Sequence, residues 1–375
     1  MAIKERNSSI ELARILAMLS IVCTHFFQQG RIITSVVPED RFWFLFLSNG
    51  GRIAVNVFVL ISCYFLCDNA TKIGKAWVRS YTQLVFYSWA ITTTLLLLGL
   101  LEGRASAIEL GICYLPFFGR PLWFISAYLT LLLAIPFLKK AEEVIPTHIT
   151  RAFLIVSALI LWVNCFCVAL FDQSNMNYIL DTIWFMLLFL ATSHIKHTTK
   201  LFVSINKWCC LAIGVGLYLI LNALHFSLVT SCFSPSIANF LQKINAFCIV
   251  DFKSPINILI AFCCFSFFLQ TKLKTNKIIN FLAAPTLAIY IIHQQPLFYN
   301  FLWFEILDVN AWRGGPYTLL IGIFLTIVLY LALASIEYIR RLLIDSWLLK
   351  TKFIYFIENK IDNLLGITTQ QKETK

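Results

Sequence analysis

The sequence predicts an all-α polytopic membrane protein: a bundle of about ten transmembrane helices with a cytoplasmic amphipathic C-terminal tail. Three observations carry this. Of 375 residues, 59% are hydrophobic and only 13% charged, against about 45–50% and about 25% in soluble proteins. Too few polar side chains exist to clothe a water-facing surface, so the outside of the fold must meet lipid. The apolar residues also gather into runs near the ~20 residues that cross a bilayer, and the density of Lys and Arg alternates from loop to loop, the pattern that sets membrane orientation.

The runs fall at 10–28, 44–66, 81–101, 121–138, 151–171, 178–195, 207–225, 255–270, 281–303 and 316–340. The first follows Lys4 and Arg6 in the manner of a signal peptide. It lacks a small-residue cleavage site and holds Arg14 and His25, which makes it a retained helix. Gly50-Gly51 interrupts the second run and Pro121 opens the fourth, so these are the least regular spans. The stretch 232–250 reads as a re-entrant or interfacial piece. After Arg341, LLIDSWLLKTKFIYFIENKIDNLL mixes apolar residues with Lys350, Lys352 and Lys360, the pattern of an amphipathic helix lying on the inner membrane face. The chain thus divides into a transmembrane domain over 1–341 and a tail over 342–375.

The net charge of +11 could suggest nucleic acid. With the N-terminus in the cytoplasm, however, 21 of the 30 basic residues fall on that side and eight on the other, Arg14 lying within the first run, while the acidic residues divide ten to nine. Such a bias belongs to Lys and Arg alone and is topology. It places both termini in the cytoplasm and makes the bilayer, not nucleic acid, the partner. Most of the twelve cysteines, Cys63, Cys165 and Cys263 among them, lie in apolar runs as small hydrophobes, and no CxxC or Cys/His spacing predicts a metal.

An ionisable group inside a span costs about 2.5–3.5 kcal/mol, so each one asks for a reason. Arg14 and His25 are eleven positions apart, which at about 100° per residue aligns them within about 20°, some 16 Å apart along the axis. One polar stripe therefore runs most of the way through the bilayer. Snorkelling with Glu11 as a partner one turn earlier would account for Arg14; for His25 a functional role is favoured, since neutral imidazole is the usual general base. In the second run Arg52, Asn56 and Cys63 share a face; helix packing accounts for Ser62 and Cys63 but leaves Asn56 uncomfortable in lipid. In the ninth, Tyr290, His293 and Gln294 stand at i, i+3 and i+4, and a structural histidine fits His293 as well as a site residue does. Trp123 and Tyr128 suit interfacial anchors. His194 and His197 stand at i, i+3, but with no carboxylate or cysteine beside them they read as solvated loop residues rather than metal ligands.

Four passages, in order, resemble the membrane-bound acyltransferase 3 family, which includes stand-alone bacterial O-acetyltransferases of surface polysaccharides. RNSSIELARILAMLSIVCTHF at residues 6–26 is similar to the family's opening Arg-x10-His helix, and GGRIAVNVFVLISCYFL to its GVxxFFxxSGYFL segment. PLWFISAYLTLLLAIPFL resembles its WFxxAYLxLYxxxPFL helix, and INFLAAPTLAIYIIHQQPLF its late YLIHxxP helix. The resemblance implies an O-acyltransferase of the bacterial cytoplasmic (inner) membrane with no bound cofactor. Its donor would be cytosolic acyl-CoA, most simply acetyl-CoA, and its acceptor a hydroxyl of a cell-surface glycan or lipid-linked sugar. By position, Arg14 and His25 become the essential pair, with His25 as base; an acyl-histidine is left open as a variation. Acyl transfer needs a base, oxyanion donors and aligned substrates, and the expected substrate contacts are Asn56, Trp123, Tyr290, His293 and Gln294. Lys72, Lys75 and Arg79 are expected to collect the CoA phosphates. The sequence departs from the pattern at Cys63, where SGY has glycine, at Asn56, where an acid is common, and in the wide spacing of those three basic residues. No hydrolase-like domain follows the last run, as in stand-alone members. A transporter or flippase would be expected to show paired repeats with broken helices, which are not found here. A noncatalytic subunit would use its polar residues only for packing.

Overall fold

The computed structural model describes residues 7–29, 41–68, 73–101, 105–118, 122–170, 178–230, 235–312, 315 and 317–367, and those residues are helical or in turns and loops. Seven helices are long and apolar enough to cross a membrane, from Ser8–Gln28 to Thr318–Asp345, and two shorter apolar ones cover Pro255–Gln270 and Lys277–His293. The protein is a polytopic membrane protein.

Helix α1 (Ser8–Gln29) is central. It packs on α2 (Arg41–Leu66) and on elements from the C-terminal half, the helices Pro255–Gln270 (α10) and Thr318–Arg340 (α14) among them. Gly50 and Gly51 do not interrupt α2, which runs unbroken for 26 residues. They let it approach α1: a Cβ at Gly51 would lie 2.6 Å from Thr24 Oγ1, and the Gly51 N–H itself donates to that oxygen at 2.8 Å. Small residues at helix contacts do this work in membranes, where close van der Waals packing replaces hydrophobic exclusion.

The third run becomes α3 (Ile73–Leu97), which begins eight residues before the apolar stretch. Its inward side buries Gln83, Ser88 and Thr92, which lowers its apparent hydropathy. A short α4 (Ala107–Tyr114) opens with a reciprocal cap between Ser106 and Glu109. Then α5 (Trp123–Val144), α6 (Thr147–Leu170), α7 (Tyr178–His194) and α8 (Lys207–Thr230) follow. Within 232–250 lies α9 (Pro235–Asn245), whose 11 residues are too short to span.

The ninth run is the clearest departure from expectation. It divides into α11 (Lys277–Ala283), α12 (Thr286–His293) and α13 (Pro296–Asn300). Pro285 and Pro296 lack the N–H that a continuing helix needs and restrict the residue before them. Gln295 takes an extended conformation and its Oε1 caps Phe298 N at 2.7 Å, with Pro296 in the first helical turn. His293 therefore stands at a helix end inside the bundle.

The end of α14 is tied to α3 by a buried ionic cluster. Glu337 is wholly buried and accepts from Arg340 Nε at 2.8 Å, Arg341 Nε at 2.6 Å, Tyr87 Oη at 2.6 Å and Gln83 Nε2 at 2.9 Å. In the tail, α15 (Lys352–Leu364) docks on the start of α3, where the Gly74 N–H donates to Asp362 Oδ1 at 2.8 Å. Phe353, Tyr355 and Phe356 remain exposed on it.

Candidate active site

Because α1 turns about 100° per residue, Arg14 and His25 open onto one cavity of about 450 Å³. Ser80, Phe124, Tyr290, Gln28, Arg52 and Trp123 line it with them. Arg14 keeps Glu11 as an ion partner, Nη1 to Oε2 at 3.7 Å, with 30% of its side chain exposed. A guanidinium held this loosely retains donors for an incoming anion or carbonyl.

The His25 ring lies 5.4 Å, centroid to centroid, from that of His293, tilted by 55°. His293 is fully buried behind it and does not line the cavity. Of the three polar tips expected together on the ninth run, Tyr290 and Gln294 face the cavity and His293 backs onto His25. Gln294 Nε2 has no hydrogen-bond partner among the described residues, and the Tyr290 ring is set by edge contacts with Phe124 at 5.2 Å and His293 at 6.0 Å.

Trp123 does more than anchor an interface. Its ring lies on Phe252 with centroids 5.0 Å apart and planes 31° apart, an aromatic wall inside the cavity. Asn56, expected to touch substrate, is committed elsewhere. Its Nδ2 donates to the Phe252 carbonyl at 2.6 Å and its Oδ1 accepts from Trp184 Nε1 at 3.1 Å. A buried amide must satisfy both ends, and here it does so by fixing the segment that carries Phe252. Lys75 and Arg79 are exposed on α3 and do not line the cavity; the inward residue of that turn is Ser80. Lys72 lies outside the described residues.

The sequence placed Arg52 on a face of the second run, toward its outer end, without counting it among the substrate contacts. It lies on α2, lines the cavity, and its Nη2 donates to Gln28 Oε1 at 3.4 Å. The available signal was its place four residues before Asn56 in a helical face. The reading of His197 also changes, because the end of α2 brings both a thiol and a carboxylate to it. His197 Nε2 is 3.2 Å from Asp68 Oδ1, and Cys67 Sγ is 3.9 Å from the same oxygen. The cation that Asp68 meets is Lys196, at 2.7 Å, whose ammonium also donates to the Tyr64 carbonyl at 2.6 Å. Partial burial would raise the Asp68 carboxyl, but Lys196 and His197 together hold it below its ordinary value. His194 does not join this group.

A helical membrane bundle with an imidazole and two guanidiniums around an interior cavity defines a membrane protein equipped for proton transfer and for holding a polar or anionic substrate. The family model of an acyltransferase domain, acyltransferase 3, matches residues 7–335. The chain belongs to the acyltransferase 3 family, membrane proteins of acyl transfer. No curated protein and no solved structure shows a significant match.

Proposed function

We propose that this protein is a membrane O-acyltransferase of the bacterial cytoplasmic membrane. It moves an acyl group, most simply acetyl, from cytosolic acyl-CoA to a hydroxyl of a cell-surface glycan or lipid-linked sugar. The observation that carries the reading is the opening of Arg14 and His25 onto one cavity. With both termini cytoplasmic, as the basic-residue census favours, Arg14 lies at the donor end. Lys75 and Arg79, exposed on the same stretch of α3 as Ser80, hold the CoA phosphates in water while the thioester arm enters past Arg14. His25 takes the acceptor hydroxyl proton. Gln294 and Tyr290 donate to the developing oxyanion, and Trp123, Gln28 and Arg52 receive the sugar from the opposite end. Two substrates entering one water-poor cavity from its two ends would be aligned without either having to cross.

Purified protein incubated with radiolabelled acetyl-CoA and a cell-envelope glycan should transfer label to the glycan. His25→Ala should abolish that transfer while the protein still inserts and purifies as a single species. Normal labelling by the variant would overturn the reading.

A further inference from the structure

His25 on the cavity wall and His293 buried behind it leave a specific question of proton placement. His293 Nδ1 sits 2.6 Å from the Ile289 carbonyl oxygen. A carbonyl only accepts, so Nδ1 is the protonated nitrogen of neutral His293 and its Nε2 carries the lone pair. That Nε2 is buried with no hydrogen-bond partner among the described residues, and so is Nδ1 of His25. His25 lines the cavity, and its sealed nitrogen is Nδ1, which leaves Nε2 as the one open to substrate. An imidazole that accepts a proton through Nε2 must carry its own proton on Nδ1, and that proton needs an acceptor. A ring able to supply one is His293, 5.4 Å away by centroid. The terminal ring torsion of histidine is soft, so a turn of the His25 ring brings the facing edges to hydrogen-bond range.

We propose that His293 is a positioning residue for His25: its Nε2 accepts the His25 Nδ1–H, holding the base in the tautomer that aims an Nε2 lone pair at the acceptor hydroxyl. This deepens the acyl-transfer reading above and rests on it. In the reaction the acceptor O–H proton passes to His25 Nε2 as the oxygen bonds to the thioester carbonyl carbon. The C–S bond then breaks, and the Nε2 proton passes to the departing sulfur, giving an ester and a free thiol. His293 gains and loses no proton; it orients the ring and shares the positive charge between the two transfers. In hydrolase triads a carboxylate fills this position. A neutral imidazole does so here without a second buried charge, which suits a site within membrane-spanning helices. The competing donor is the indole of Trp303, whose Nε1 is also buried without a partner among the described residues, its ring edge-on to His293 at 6.5 Å.

The test uses the full chain in lipid, labelled with 15N-histidine, with His25 resonances assigned by their loss in His25→Gln. The wild type should show His25 protonated at Nδ1 and bare at Nε2, and His293→Phe should scatter it between tautomers. In acyl-transfer assays His293→Phe should lower kcat about 100-fold with KM for acetyl-CoA changed less than about twofold. His293→Gln, which returns an acceptor near the Nε2 position, should recover kcat to within about tenfold of wild type. Trp303→Phe should leave the His25 tautomer unchanged. A wild-type His25 protonated at Nε2, a His293→Phe enzyme with unaltered kcat, or a tautomer that follows Trp303 would each overturn the proposal. If His293→Phe fails to insert, the wild-type tautomer decides. If the wild type transfers no label at all, the acyl-transfer reading fails, while the spectra still decide the hydrogen bond.

Discussion

Helices α1 and α6 are similar in length and both apolar, yet they occupy opposite environments. In the most apolar window of each, 67% of α1 is buried by protein but only 11% of α6, although α6 is the more hydrophobic of the two, with mean hydropathy 2.4 against 1.7. Ile155, Leu159, Ile160 and Val163 of α6 face outward, where lipid is as good a solvent as a neighbouring helix. In α1, by contrast, Glu11, Arg14, Thr24 and His25 are interleaved with the apolar residues; Glu11 and Thr24 are buried and Arg14 and His25 half-buried. Hydropathy alone therefore does not find the centre of a membrane bundle. Polar groups do, because they are tolerated only where protein or a cavity receives them.

The sharpest way to break this contrast is the chemistry of α1. His25→Ala should lower transfer at least about 10³-fold, the range of a lost general base, whereas Ile160→Ala on α6 should leave kcat unchanged; equal losses in both would remove the distinction. Packing comes next. Gly51→Val would drive a side chain into Thr24, whose Cβ lies 2.8 Å from the new Cβ position, and should cost about 1–3 kcal/mol. Ile160→Ala should stay within about 0.5 kcal/mol, both read by thermal unfolding in detergent.

A third comparison sets Arg14, at the cavity, against Arg151, exposed at the start of α6. Arg14→Ala should raise KM for acetyl-CoA about tenfold, the scale of one charge-assisted hydrogen bond, and Arg151→Ala should not; unchanged donor binding for Arg14→Ala would end its donor role. Asn56→Ala should weaken acceptor use rather than donor use, because it frees the segment that holds Phe252 against Trp123. An effect confined to the acetyl-CoA KM would contradict that.

The smallest effect lies at the exposed end of α2. Lys196 and His197 hold the Asp68 carboxyl below its ordinary value near 3.8 despite partial burial, so its ion pair adds stability above that value and loses it as pH falls through the lower, folded-state value. Asp68 is half exposed, and screening keeps the contribution under about 1 kcal/mol. Asp68→Asn should remove this step from a pH series of unfolding temperatures and change little at neutral pH.

What could be read from the chain follows the range of the forces involved. The membrane class, most of the helical runs and the family resemblance are local, and the structure and the family match agree with them: among the described residues, seven of the ten runs appear as helices long and apolar enough to cross. The shared face of Arg14 and His25 is local too, since helical periodicity over eleven residues needs no partner. The breaks in the ninth run were legible in principle from Pro285 and Pro296, but the apolar content across them concealed the turns.

Contacts between distant segments were not legible. Nothing in the spacing of His194 and His197 announces the Cys67-Asp68 corner, and nothing around Asn56 shows that a carbonyl at position 252 will take its amide. By itself the sequence determined that this chain enters a membrane and which helix carries the polar stripe that opens on the cavity, because burial cost and helical period act within a single segment. Only the tertiary structure decided which groups meet that stripe. His293 behind His25, Arg52 and Trp123 beside it, and Asn56 withdrawn from it all depend on how separate helices pack, an outcome summed over many weak contacts that no single segment encodes.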